Sequence, residues 1–135
     1  MRSHGKLALE WQGELLIVRP QGPFNEEGVA KARRHLIQSI KNSQHNYWLR
    51  LEIWDEESLG SPRVMAQVNE LFQWCQDHGC QSTAVVVCNR IQAGIIESQF
   101  IDDIAVFDDT EHALDWLEKI AGHRFGLSAL DLQPD

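Results

Sequence analysis

The sequence lacks most of the features that announce a function. Its three cysteines, Cys75, Cys80 and Cys88, are odd in number and follow no disulfide-framework spacing. The fold must therefore stand on its core, and a reducing compartment is the natural setting. No apolar run approaches the roughly 20 residues that span a bilayer. The short polar start, Met1 to Gly5, carries no apolar signal segment. A cytoplasmic location without stable membrane insertion is the expectation. Basic residues are scarce, 12 against 20 acidic ones, for a formal net charge of −8. Nucleic acid and anionic membrane surfaces both call for a basic footprint, so neither is expected as a partner, whereas a protein with a basic or neutral face is compatible. There is no Gly-rich phosphate cradle, no Gly-x-Ser-x-Gly elbow, and no His-x-x-His or Glu-x-x-His pair. No cofactor, no bound metal and no enzymatic activity are expected from these residues.

What is present is a regular alternation of strand and helix signals. At 135 residues, with 43% hydrophobic and 24% charged side chains, the chain is sized for one domain, 1–135, with an ordinary core over about 6–121 and a tail over 122–135. Lys6 to Gln12 alternates Leu7, Leu9 and Trp11 with polar or small neighbours; Gly13-Glu14 turns the chain, and Leu15-Leu16-Ile17-Val18 returns it until Arg19-Pro20. Asn25 caps a helix with Glu26 and Glu27 in its first turn and Val29, Ala32, Leu36, Ile37 and Ile40 as its stripe. Leu49, Leu51 and Ile53 alternate with Arg50 and Glu52 as a strand that runs into the acidic loop Trp54 to Gly60. Ser61-Pro62 reads as N-cap and first residue of a helix closed by His78-Gly79. Thr83 to Cys88 is a strand covered on both faces, and Asn89 caps a shorter helix to about Phe100 with Ile91, Ile95 and Ile96 inward. Ile104 to Phe107 is a short strand, and Asp108-Asp109-Thr110-Glu111 opens a helix with Ala113, Leu114, Trp116, Leu117 and Ile120 apolar, ended by Gly122. The tail from His123 to Asp135 either docks on the domain, docks on a partner or frays. The fold class is α/β, in the order β-β-α-β-α-β-α-β-α, with a mostly parallel five-stranded sheet and four helices.

This order resembles the STAS domain of anti-sigma-factor antagonists, and more closely the STAS-like proteins grouped with the Sec14 lipid-binding fold. The resemblance runs from about Leu7 to Ile120 and rests on the hairpin, on Leu49 to Gly79, and on Ile104-Ala105-Val106-Phe107-Asp108-Asp109-Thr110-Glu111-His112-Ala113-Leu114. It implies a regulatory module that binds a protein partner. The family's Asp-Ser-x-Gly motif, whose serine is phosphorylated by a partner kinase, has its counterpart in Glu57-Ser58-Leu59-Gly60, with Glu in place of Asp and with helical signals starting only at Ser61.

The acidic loop is the candidate site. Asp55, Glu57, Ser58, Gly60 and Ser61 are candidates for a phospho-switch or a partner contact, continued by Pro62 to Met65. A phosphate at a helix N-terminus meets free N–H groups, but Asp55, Glu56 and Glu57 repel it, which favours a plain capping role for Ser61. Glu52, Asp55, Glu56 and Glu57 could together hold Mg²⁺, or simply form a solvated loop. Cys75, His78 and Cys80 would need a fourth ligand to close a zinc site. Trp48 and Trp54, with Met65, mark a ligand site or a subunit interface, including a homodimer, if no helix covers their face; if helices cover it, they are core. A carrier of a small apolar or lipid ligand, in a pocket near Trp54 and Ile91–Phe100, is the alternative function; a metal-dependent enzyme using the acidic loop is a third.

Overall fold

The computed structural model describes residues 2–101, 103–128 and 130–132; the end of the tail, Gln133 to Asp135, lies outside them. The elements are β1 (Lys6–Gln12), β2 (Leu15–Gln21), α1 (Glu26–Ser43), β3 (Trp48–Ile53), α2 (Pro62–Asp77), β4 (Cys80–Val86), α3 (Arg90–Gln99), β5 (Ile104–Phe107) and α4 (Thr110–Ala121). The expected order and helix count hold. The five strands lie side by side in sequence order, β1 antiparallel to β2 and every later pair parallel.

Sequential strand order has a consequence for the layers. Each crossover from β2 to β5 steps the same way across the sheet, and right-handedness then puts all three connecting helices on one face. Leu16, Val18, Trp48, Val85 and Val87 accordingly pack under α1, α2 and α3 with Leu36, Phe72, Cys75 and Ile96. The opposite face, with Leu15, Ile17, Leu49, Leu51 and Ala84, is left to α4 and the segment after it. Ala113, Leu114 and Leu117 cover it from α4, and Phe125 and Leu132 complete the cover. The tail is thus docked on its own domain. Gln12 Nε2 donates to Phe125 O at 3.0 Å, Arg19 to Leu132 O at 3.3 Å, and His123 pairs with Glu14.

Several boundaries depart from expectation for identifiable reasons. β2 continues through Pro20 to Gln21, because its pairing with β3 ends at Val18–Glu52 and the missing proline N–H is asked for nothing there. β4 begins at Cys80, opposite Trp48, and stops before Cys88, whose thiol is exposed instead of packed as a small apolar group. In α3, Ile91 points outward, 69% exposed, and the inward place goes to Gln92. The three N-caps expected from Asn25, Ser61 and Asn89 form, accepting from Gly28 N, Val64 N and Gln92 N.

Candidate functional site

The carboxyl ends of β3, β4 and β5 carry the loops in which an open α/β sheet offers a site. The first of them, Trp54 to Ser61, is built around Asp55. Its Oδ1 accepts from Ser58 Oγ at 2.8 Å, from Glu57 N at 3.1 Å and from Gly22 N at 3.4 Å. Its backbone N–H donates back to Ser58 Oγ at 3.0 Å. The preceding loop presses directly on this turn, since a Cβ at Gly22 would fall 1.8 Å from Glu57 O. Gly60 is equally confined, its Cβ position lying 2.6 Å from Val64 Cγ1. Neither glycine has room for a side chain.

Behind the loop stands Gln92, fully buried. It donates from Nε2 to Asp55 O at 2.7 Å and accepts at Oε1 from Cys88 N at 2.8 Å, pinning the β3–α2 loop to the β4–α3 loop. A lone glutamine in a helix carries no sequence signature, so this residue escaped the reading of the chain. The one available hint was spacing: Gln92 stands four before Ile96, on the inward line of the helix.

The candidate residues separate into two environments. Ser58 is 5% exposed, its hydroxyl held between Asp55 and the Pro20 carbonyl, so a kinase would reach it only after the loop had opened. Ser61 is exposed, and its oxygen accepts from Val64 N at 3.2 Å as the helix cap. Glu56 and Glu57 face solvent, as does Arg63, which lies 3.9 Å from Glu26. Trp48, Trp54 and Met65 are all buried under the helices, which removes them from any open contact surface. Of the two alternatives for the tryptophan face, the covered one is found. Glu52 does not join the loop carboxylates: it is turned under α1 and α2, where Trp54 Nε1 donates to it at 2.8 Å. Among the described residues no three His, Cys, Asp or Glu side chains converge on a metal position. His78 is stacked on Trp74, ring centroids 3.9 Å apart, while Cys75 and Cys80 are buried.

Compared with known proteins, the sequence matches no model of a protein family and no curated protein.

Two features of the loop face decide its chemistry. Because α3 and α4 leave adjacent strands toward opposite faces of the sheet, a crevice of about 620 Å³ opens between their first turns, with Val87, Ala93 and Phe107 in its walls and Cys88, Arg90 and His112 at its rim. Cys88 Sγ donates to Trp54 O at 3.1 Å. Partial burial, then Glu56 and Asp55, push its thiol pKa up, the reverse of what activates a nucleophile. The Cys88–Trp54 contact ties the start of the acidic loop to the rim of the crevice. No described helix is long and apolar enough to cross a membrane.

Proposed function

We propose that this chain is a STAS-like binding and regulatory module that acts on a protein partner, not an enzyme. Its contact surface is the loop Asp55 to Ser61 with Pro62 and Arg63 of the first helical turn, together with the outward Ile91. The observation that carries this reading is a loop rigidly fixed from behind with its charges pointing out. Asp55, Ser58 and Gln92 satisfy one another, Glu56 and Glu57 are left in solvent, and Ile91, next to Gln92 in α3, is exposed. Such a surface loses little freedom on binding, so more of each contact appears as affinity. Its acidity suits a basic partner, and complementary charge acts most on the rate of encounter. Ser58 burial argues against phosphorylation as the switch.

The reading is tested by placing a photo-crosslinking residue at Ile91, 69% exposed, and separately at Tyr47, 54% exposed at the far end of β3. In the native host, Ile91 is expected to yield a discrete adduct that disappears in Glu56→Lys/Glu57→Lys, and Tyr47 none. An adduct of twice the chain mass identifies a homodimer. Equal adducts from both positions, or none from Ile91, refute the assignment.

A further inference from the structure

A cavity of about 40 Å³ lies between β2–β3 and the helices α1 and α2, behind the contact surface. Val18, Pro20, Val29, Leu36 and Phe72 give it an apolar wall, into which Glu52 and Ser58 bring polar groups. The Ser58 hydroxyl is already committed to Asp55 in both directions. Glu52 is not. It is 5% exposed and accepts a single hydrogen bond, at Oε1 from Trp54. Arg50 NH1 stands 3.6 Å from Oε2, beyond hydrogen-bond length. Arg50 itself is 1% exposed and its Nε–H has no partner. Glu52 therefore brings an open acceptor to the cavity, while Arg50, which is not part of its wall, supplies the countercharge behind it. Stability does not explain them, because well-packed apolar residues in place of a buried ion pair are often neutral or stabilising.

Size and chemistry define an occupant. At roughly 10–15 Å³ per water-sized group, the cavity takes about three such groups in a row and no ring system. A hydroxyl donates to the free carboxylate lone pair and brings no charge of its own. A carboxylate would meet Glu52 with like charge, and an ammonium on Glu52 would stand close to Arg50, which lies 3.6 Å from the same carboxylate. A groove of about 290 Å³ between β1 and α1 shares Leu7 and Ala32 with the cavity and has room for the remainder of a thin apolar body.

We propose that this cavity is a binding site for a neutral, unbranched apolar molecule ending in a hydroxyl, with the hydroxyl on Glu52 and the chain passing out between Leu7 and Ala32. The site is separate from the loop surface and stands or falls independently of it. The test titrates the full-length ¹⁵N-labelled chain with 1-hexanol and with sodium hexanoate, following the Trp54 indole N–H that donates to Glu52. A saturable shift with hexanol is expected, at a concentration about tenfold below any response to hexanoate, the factor that one charge-assisted hydrogen bond supplies. Arg50→Met/Glu52→Leu, which removes both charges together, is expected to keep its fold, checked by thermal melting, and to lose the hexanol response. Ala32→Trp, which blocks the groove without touching the ion pair, is expected to lose it as well. A non-saturating drift, tighter binding of hexanoate, or a full response in folded Arg50→Met/Glu52→Leu overturns the site.

Discussion

Replacing Arg50 by methionine should destabilise the domain by about 3–5 kcal/mol, the range found when one partner of a buried ion pair is deleted. The surroundings place Arg50 in that class. It is 1% exposed, it lies 3.6 Å from Glu52, NH1 donates to Cys75 Sγ at 3.1 Å, and the guanidinium sits 4.0 Å from the Phe72 ring centroid. Without it, Glu52 keeps only the Trp54 N–H. Burial already pushes the Glu52 pKa up, with Arg50 and the Trp54 hydrogen bond pulling it back, so losing Arg50 moves it further up. In that variant the folded state holds a proton that the unfolded chain releases once pH passes the ordinary carboxylate range, about pH 4. Its stability is therefore full below that range and falls as pH rises through the raised pKa of Glu52. Urea unfolding should show the deficit of Arg50→Met shrinking toward about pH 4 and widening toward neutrality, while Arg50→Met/Glu52→Leu recovers most of it at every pH. A deficit below about 1 kcal/mol, the size of an exposed pair, or one that ignores pH, would refute the claim that this pair is sealed from water.

Gln92→Ala leaves Cys88 N and Asp55 O without their buried partner; a loss of about 2–3 kcal/mol and faster hydrogen exchange at the Cys88 amide are expected, and unchanged exchange there would contradict its pinning role. The Arg124 carbonyl and Glu14 raise the His123 pKa, while that of Glu14 is lowered. The tail tie is therefore complete below the ordinary histidine range and lost as pH rises through the raised pKa, with Glu118 and Arg124 the other charges nearby. In an NMR titration Glu14→Gln should move the His123 midpoint down, and an unmoved midpoint would sever the tie. Cys88 should alkylate more slowly than a free cysteine at neutral pH and faster in Glu56→Gln, and buried Cys75, pushed to about 12 chiefly by its burial, should not react while folded; mass spectrometry after timed iodoacetamide exposure measures both.

Local rules made the framework legible. Asn25, Ser61, Asn89 and Gly122 announce helix ends through their own backbone chemistry, and each sits at the end it announced. Residues whose role depends on a partner far along the chain were opaque. Arg50 and Glu52 lie on the strand face whose cover stayed open in the sequence, because nothing local says that three successive crossovers will bury that side. Ile91 and Gln92 exchanged their expected places because two hydrogen bonds to separate loops outweigh the burial of one aliphatic side chain. The loop at Asp55 was found by its composition, but its internal bonding was not, since Gly22 and Gln92 approach it from 33 and 37 positions away. The docked tail was undecided for the same reason: its anchors Gln12 and Arg19 are each 113 residues from what they hold.

The one-directional winding of the sheet also sets an order of events during synthesis. By the time β5 leaves the ribosome, all three crossover helices can close over their side, at translation rates of about 5–20 residues per second. Leu15, Ile17, Leu49, Leu51 and Ala84 meanwhile wait for α4, Phe125 and Leu132, the latest-made parts of the described core. The nascent domain therefore passes through a stage that is half dressed, with one finished side and one bare apolar side. Whatever delays the emergence of α4 and the segment after it from the ribosome prolongs that exposure.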